Sequence, residues 1–306
     1  MSRVDLDALV ELAVAQNKAA TMRPVVVKEL LHYDILFALD KAGLLKNLVF
    51  QGGTSLRLCY GSSRFSEDLD FVGGKAFGAN ELVPIKDCIE DYLGKRYGLE
   101  VSVKEPKQLR EQLEYRGVNV DKWQVSVTTA PEQKSIPRQR IKIEIANIEA
   151  YTSETMALQA NYEFLPDGYA DTLLKVESLD EIMADKLISL ANTEKYIRHR
   201  DIWDLRWLKQ KGAAVNGRLV SLKTADYKIE DYAGKVARMK ALLPEIIQGD
   251  VFRNEMKRFI PVTVQEATLA KAEFYPFLTK EVTRLYDEVL RHLSDPGEGE
   301  SADFVM

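Results

Sequence analysis

Apolar side chains recur at helical spacing at the start of the chain, which predicts two N-terminal helices. The pattern covers Val4 to Gln16 and then Pro24 to Ala42. Pro24 suits the first turn of the second helix, where its missing N–H costs nothing. Gly43 suits the C-terminal cap of that helix.

The periodicity then changes to that of strands. Leu48–Phe50 predicts a short strand that runs into the turn Gly52-Gly53-Thr54-Ser55, where the Thr-Ser pair is a good N-cap for a following helix. Further on, Asp68–Phe71 alternates polar and apolar residues. Successive side chains of a strand point to opposite faces, so Asp68 and Asp70 are expected on one face.

The remainder of the first half predicts a mixture of helices and strands. The middle pair of strands alternates in the manner of an antiparallel pair. The predicted elements are a helix from Glu81 to Arg96 capped by Asn80, a strand at Leu99–Val103, a helix-prone stretch at Lys107–Tyr115, and strands at Trp123–Thr129 and Arg140–Ile145.

The second half predicts helices only. Ser178 followed by Glu181 forms a capping box at the first of them. The later helices are expected at Arg200–Leu208, Asp231–Ile247, Val251–Phe259 and Pro276–Leu293. We therefore predict an α+β protein with two lobes, comprising a mixed α/β lobe over residues 1–170, a helical lobe over 171–294 and a disordered tail over 295–306.

Composition narrows the class of protein. The chain has 306 residues, of which 46% are hydrophobic and 29% are charged, as in folded globular proteins. It contains no apolar run of about 18 residues, so no membrane partner is expected, and its N-terminal stretch carries acids without the apolar core of a secretion signal. Two cysteines are too few for a disulfide framework and fit a reducing cytoplasm.

The distribution of charge is more informative than its sum. The net charge of −5 argues against a nonspecific nucleic-acid coat. Between Lys186 and Lys211, however, seven basic residues stand against three acidic ones, a local charge of +4. Together with Arg138 and Arg140, this stretch is a candidate for contacts with an RNA backbone.

Carboxylates supply the candidate chemistry. Asp68 and Asp70, side by side on a strand, suit a divalent cation with hard oxygen ligands. Glu144 is the candidate third ligand for two-metal phosphoryl chemistry, since alternation places it on one face with Arg140 and Lys142. An ion pair of Glu144 with either of those two residues is the competing interpretation.

Phosphate contacts are expected around the glycine turn, because paired glycines let a backbone approach a phosphate closely. Lys186 is suited to neutralise a triphosphate. Asp201 and Asp204 lie three residues apart on one helical face. Either aspartate can orient Lys186 or Arg200, accept a proton or cap the helix, or the stretch is simply a solvated basic helix.

Four motifs, in this order, resemble the nucleotidyltransferase AbiEii/AbiGii toxin family. These proteins are the toxin halves of bacterial type IV toxin–antitoxin and abortive-infection systems, within the DNA polymerase beta-like nucleotidyltransferase superfamily. The motifs are Phe50–Arg57 (FQGGTSLR), Arg64–Phe71 (RFSEDLDF), Ala184–Leu187 (ADKL) and Arg200–Leu205 (RDIWDL).

The resemblance implies a polymerase-beta-like fold and Mg²⁺- or Mn²⁺-dependent transfer of NMP from an NTP to an RNA acceptor, for some members the 3′ end of tRNA. It also implies an antitoxin partner, expected as a transcriptional regulator. By position, Asp68, Asp70, Lys186 and Asp201 are the catalytic candidates, and Asp68, Asp70 and Glu144 are the metal ligands. The nucleotide-binding candidates are Gly53, Thr54, Ser55, Arg64, Ser66 and Lys186, with Ser55 preferred over Thr54 for the phosphate contact.

Two other functions fit the same residues. One is phosphotransfer to a protein, including self-modification at Ser66. The other is a protein that binds NTP and RNA without chemistry. A DNA-binding regulator fits poorly, since the basic stretch lacks a second short helix after a tight glycine turn.

Overall fold

A computed structural model describes residues 3–17, 19–106, 118–132, 137–193 and 195–294. The predicted helix at Lys107–Tyr115 and the predicted tail at 295–306 lie outside these residues. Contacts divide the chain into two compact units. The first runs to Glu177 and includes Arg258–Thr263, and the second comprises Ser178–Lys257 and the residues from Val264 onward.

The division falls after Glu177 rather than near Ala170, where the sequence places it. The reason is that the strand Leu173–Glu177 belongs to the sheet of the first unit. The return of Arg258–Thr263 to the first unit was not predicted. Its Phe259 is buried in the core of that unit, and the Phe259 carbonyl accepts a 2.8 Å hydrogen bond from the Phe65 N–H.

The first unit is a mixed sheet with helices. Its elements are helices α1 (Leu6–Asn17), α2 (Arg23–Lys41), α3 (Gly52–Leu58) and α4 (Ile85–Tyr97), 3₁₀ turns at Ala20–Met22 and Ala79–Leu82, and strands β1 (Val49–Gln51), β2 (Leu69–Val72), β3 (Val101–Lys104), β4 (Val120–Val127), β5 (Gln139–Ala146), β6 (Ser153–Ala157) and β7 (Leu173–Glu177).

The strands form one seven-stranded sheet in the order β3-β4-β5-β2-β1-β7-β6. The predicted antiparallel pairing of β4 with β5 is confirmed. β2 runs parallel to β5 and antiparallel to β1, and β1 runs parallel to β7. β2 therefore lies at the centre of the sheet, where neighbouring strands hold it from both sides.

The sheet buries the apolar face that the alternation predicts. Ile141, Ile143 and Ile145 of β5 are all at most 1% exposed, whereas Lys142 between them is exposed. α2 packs against β5 and α4. The core of the first unit thus forms between the apolar face of the sheet and α2, since burial of apolar surface is the main force that holds the layers together.

Two predicted helix caps are wrong. α3 begins at Gly52, with Gln51 as its N-cap, rather than at Thr54 or Ser55. Gly52 has φ +78°, and this left-handed conformation lets the chain turn from strand into helix without a capping side chain. Asn80 lies inside a 3₁₀ turn, and α4 begins only after Pro84.

The predicted ends of α2 agree with the structure. Pro24 lies in the first turn, and Gly43 directly follows the C-cap Ala42 with φ +71°.

The second unit is helical. Its elements are α5 (Leu179–Asn192), α6 (His199–Gln210), α7 (Gly217–Asp226), α8 (Tyr232–Gln248), α9 (Asp250–Lys257), α10 (Val262–Ala267, which starts in the first unit) and α11 (Phe274–Ser294). The predicted cap of α5 is confirmed, since the Ser178 hydroxyl accepts a hydrogen bond from the Glu181 N–H. None of the helices in the described ranges has the length and apolar character needed to cross a membrane.

Candidate active site

Asp68 and Asp70 lie at the start of the central strand β2. Asp70 is paired in register with Gln51 of β1 and with Glu144 of β5. The Asp68 Oδ1 accepts a 3.0 Å hydrogen bond from the backbone N–H of Lys142, so β5 fixes this carboxylate. Both aspartates are half-buried. The parallel register of β2 and β5 thus brings the three predicted carboxylates to one region of the sheet.

Glu144 forms an ion pair in the structure, but not with either predicted residue. Antiparallel pairing places Lys122 of β4 opposite Glu144, and the Lys122 Nζ lies 3.1 Å from the Glu144 Oε1. Lys142 and Arg140 are on the same strand as Glu144 and are both exposed. The partner is therefore a cross-strand lysine, which residue spacing along one strand cannot predict.

The donor set of Asp68 and Asp70 fits a hard divalent cation. Carboxylate oxygens are the ligands that Mg²⁺ prefers, and substrate phosphates usually complete its coordination. Gly52 leaves space beside this pair, since a Cβ on Gly52 would lie 2.8 Å from the Asp70 Oδ2. Within the described ranges, no group of three His, Cys, Asp or Glu side chains is placed to hold a metal ion. Substrate oxygens would therefore have to complete the coordination of a cation at Asp68 and Asp70.

The second glycine of the turn allows two side chains to approach the start of α3. A Cβ on Gly53 would clash with Nη2 of Arg64 and would lie 2.9 Å from Oγ of Ser66. Arg64 is 2% exposed, and its Nη1 donates a 2.7 Å hydrogen bond to the Phe65 carbonyl. The structure therefore brings Gly53, Arg64 and Ser66 together, as the predicted nucleotide-binding set requires.

The hydroxyls of Thr54 and Ser55 both donate to backbone carbonyls. The Thr54 Oγ1 donates to the Asp68 carbonyl, and the Ser55 Oγ donates to the Gly52 carbonyl at 2.9 Å. Both residues are at most 1% exposed. Thr54 thus ties α3 to the backbone of the first aspartate. A phosphate contact through Ser55 would need its hydroxyl to change partner.

In the second unit, Lys186 lies between two aspartates. Its Nζ is 2.8 Å from the Asp201 Oδ1 and 2.9 Å from the Asp204 Oδ2. The three side chains are almost completely buried, with 7%, 4% and 0% of their surface exposed. Of the roles considered for the aspartates, orientation of Lys186 is the one that the structure shows. The helix cap is Arg198.

Electrostatics keeps Asp201 ionised in this cluster. Burial raises the pKa of the Asp201 carboxyl, but Arg198 and Lys186 outweigh burial and hold that pKa well below its usual range. The Ser189 hydroxyl also donates to the Asp201 Oδ2 at 2.9 Å. A charged Asp201 fixes the Lys186 ammonium in one place, which suits a residue that must meet a phosphate.

Several residues that hold the aspartate strand escaped prediction. Lys28 of α2 forms a 2.7 Å ion pair with Glu67, the residue before Asp68. The His32 Nε2 lies 3.0 Å from the Glu67 carbonyl oxygen. Burial lowers the pKa of His32 to about 4, so the neutral ring donates to this carbonyl. The sequence indicates these contacts only through polar residues within the otherwise apolar α2.

A second buried ion pair holds α3 against α2. Nε and Nη2 of Arg57 donate to the two carboxylate oxygens of Glu29 at 2.8 and 3.0 Å. The Asn161 side chain also donates to Glu29 at 3.3 Å. Arg57 directly follows the GGTSL segment, so this pair fixes the helix that carries the glycine turn.

Of the remaining predicted basic contacts, Arg138 pairs with Glu100 at 3.0 Å and both are well exposed. The predicted site residues thus form two clusters. One, in the first unit, contains Gly53, Thr54, Ser55, Arg64, Ser66, Asp68, Asp70 and Glu144. The other, in the second unit, contains Lys186, Asp201 and Asp204.

Residues 34–303 match the family described as nucleotidyl transferase AbiEii toxin, type IV toxin–antitoxin system. The chain belongs to this family. The predicted resemblance is therefore confirmed, and the chain is a nucleotidyltransferase of the toxin class. Membership implies an NTP substrate and a cognate antitoxin.

Two solved structures are similar in fold at low identity. JHP933 from Helicobacter pylori is 16% identical, with a TM-score of 0.46 and coverage of 89% of this chain and 94% of that chain. A STING-associated CdnE c-di-GMP synthase from Capnocytophaga granulosa is 14% identical, with a TM-score of 0.21 and coverage of 94% and 93%. A search of curated proteins finds no match.

Proposed function

We propose that this protein transfers NMP from an NTP to an RNA acceptor, the 3′ end of tRNA first among them, with Mg²⁺ or Mn²⁺ bound at Asp68 and Asp70. The observation that carries the proposal is the position of this aspartate pair beside the Gly52-Gly53 turn, with Asp68 fixed by the Lys142 N–H. We further propose that the reaction stops growth in the cytoplasm, as part of abortive infection, until an antitoxin relieves it.

The residues of the first unit would bind and orient the nucleotide. Gly53 gives the triphosphate a close approach to the backbone, and the buried guanidinium of Arg64 supplies positive charge beside it. A divalent cation, when bound, supplies Lewis-acid stabilisation of the phosphate charge. Asp68 and Asp70 hold that charge in place on a rigid strand, and Glu144 is a further candidate ligand if its pair with Lys122 opens.

The acceptor hydroxyl would attack the α-phosphorus as the bond to the bridging oxygen breaks and pyrophosphate leaves. Lys186, held by Asp201 and Asp204, would stabilise the negative charge that develops. Positioning and electrostatics are the main contributions a protein makes to such transfers. The geometry gives little support to self-modification at Ser66, since this residue is only 8% exposed and packs over Gly53.

The test is incubation of the full-length protein with α-labelled NTPs, Mg²⁺ and total tRNA. We expect label in RNA with the parent protein, and a loss of at least about 100-fold in Asp70→Asn, because charge stabilisation by the metal contributes several kcal/mol. Asp171→Asn, at an exposed aspartate of the same unit, is the matched control and should behave like the parent. Label absent from RNA with every NTP would refute the proposal.

The toxin role is tested in cells. Induced expression should arrest growth, and Asp68→Asn should relieve the arrest at an equal protein level. Arrest that persists in Asp68→Asn would show that the toxicity does not come from this site.

A further inference from the structure

The loop between α5 and α6 presents the most exposed large hydrophobic side chain of the described residues. We call residues 193–198 the α5–α6 loop. Tyr196 in this loop is 72% exposed, and the adjacent Ile197 is 41% exposed. Single exposed apolar side chains are common and carry no meaning by themselves. The surroundings of Tyr196 are what distinguish it.

Cations surround this tyrosine in an otherwise acidic protein. From Lys195 to Arg200 the sequence has three cationic residues and no acidic one, whereas the whole chain carries −5. The Lys195 Nζ lies 5.4 Å from the centroid of the Tyr196 ring. Lys195 and Arg198 are both exposed. This surface is therefore complementary to a ligand that combines negative charge with flat apolar faces.

The loop is also held in place. The Thr193 Oγ1 donates a 2.7 Å hydrogen bond to the Tyr196 carbonyl. From α8, Arg238 donates to the Thr193 carbonyl at 3.2 Å, and the Lys235 Nζ donates to the Asn192 Oδ1 at 2.6 Å. A ring on a fixed backbone loses little conformational freedom when it binds, so its contact area converts more fully into affinity.

The loop shares a charge network with the predicted catalytic lysine. Nε of Arg198 pairs with the Asp201 Oδ2, while the Asp201 Oδ1 holds Lys186. A ligand on the loop would thus lie against the cluster that positions Lys186, within one compact unit.

We propose that Tyr196 is a base-stacking residue for single-stranded RNA, with the flanking phosphates bound by Lys195 and Arg198. An aromatic face with adjacent cations is the arrangement by which proteins bind unpaired strands, because every base offers a π-face and every linkage a charge. An unpaired end is also the part of an RNA whose bases are free to stack on a side chain. The inference deepens the proposed function and rests on it for the nature of the acceptor.

The test measures the affinity of the full-length protein for a fluorescently labelled, unpaired oligoribonucleotide by anisotropy. Tyr196→Ala should weaken binding by about 5- to 100-fold, the usual range for loss of one stacked base. Tyr196→Phe keeps the ring and should stay within about twofold of the parent. Phe277→Ala, at another exposed aromatic of the same unit (42% exposed), should do the same.

Salt dependence separates stacking from charge. Tyr196→Ala should leave the slope of log affinity against log salt unchanged, whereas Lys195→Ala should reduce it by about one phosphate contact. A reduced slope in Tyr196→Ala would show that the tyrosine acts through charge placement and would overturn the stacking role.

Nucleotide transfer is measured in parallel, so that the two proposals can fail separately. Transfer to RNA by the parent with unchanged RNA affinity and unchanged KM in Tyr196→Ala would refute the stacking site alone. No RNA binding and no transfer by the parent would refute both. Unchanged RNA affinity together with lost neutralisation by a co-expressed antitoxin would assign the loop to a protein partner and would also overturn the inference.

Discussion

Gly52 is the position where backbone geometry and the aspartate pair meet, and its substitution by alanine tests both. Gly52 has φ +78°, and a Cβ there would lie 2.8 Å from the Asp70 Oδ2 and 3.4 Å from the Asp70 Cβ. Gly43 is a matched control, since it has φ +71° and nothing lies within 4 Å of its added Cβ. The two alanine variants therefore share the backbone strain and differ in the clash.

The magnitudes follow from these two effects. An alanine held at positive φ costs roughly 1–2 kcal/mol, so both variants should lose about this much free energy of unfolding. In Gly52→Ala the Asp70 carboxylate must also move, because the end of a side chain yields more easily than backbone. A displacement of about 1 Å at a reacting site can cost about 100-fold in rate. We expect kcat for NMP transfer to fall by about 10- to 100-fold in Gly52→Ala only.

The assay combines urea unfolding, followed by circular dichroism, with label transfer from α-labelled NTP. Gly43→Ala should keep the kcat of the parent within about threefold despite its lower stability. Equal kcat values in Gly52→Ala and Gly43→Ala would refute the argument, since they would show that the Asp70 carboxylate tolerates a neighbour at Gly52. A fall in kcat in both variants would indicate that lowered stability, rather than the clash, limits the rate.

Three further substitutions test the buried polar contacts by urea unfolding. Lys186→Met leaves Asp201 without its lysine, and we expect a loss of about 3–5 kcal/mol at pH 7 that shrinks as pH falls toward the usual aspartate pKa, because the carboxylates can then take up protons; a loss that does not vary with pH would contradict this. Arg57→Met leaves Glu29 buried at 1% exposure, so a loss of about 3–5 kcal/mol is expected, mostly recovered in the double variant with Glu29→Gln; no recovery would show that the loss comes from packing alone. The pKa of His32 is lowered by burial from 6.5 to about 4, so its contribution is complete above pH 6.5 and is lost as pH falls toward 4, by up to about 3 kcal/mol. His32→Gln should remove this pH dependence, and an unchanged profile would count against the neutral buried ring.

The sequence predicts the local geometry of the aspartate strand well, because alternation alone determines which side chains share a face. Ile141 and Ile143 are buried as the period of two requires, and Asp70 lies in a strand. The i,i+3 spacing of Asp201 and Asp204 likewise anticipates that both lie near one partner, Lys186.

What escapes prediction depends on contacts between distant segments. The ion pair of Glu144 with Lys122 follows from the register of β4 against β5, and the place of β1 between β2 and β7 follows from a parallel pairing across more than half of the first unit. The start of α3 at Gly52 depends on a positive φ that the glycine permits but does not dictate. These features arise from tertiary packing, which overrides local preference.

The most direct test of nucleotidyl transfer follows two labels in one reaction. The full-length protein is incubated with RNA and Mg²⁺, in parallel, with NTP labelled at the α-phosphate and with NTP labelled at the γ-phosphate. The account predicts that α-label enters RNA, that γ-label leaves as pyrophosphate, and that Asp70→Asn abolishes both while Asp171→Asn does not. Incorporation of γ-label into RNA or protein would establish phosphoryl transfer instead, and would contradict the central claim.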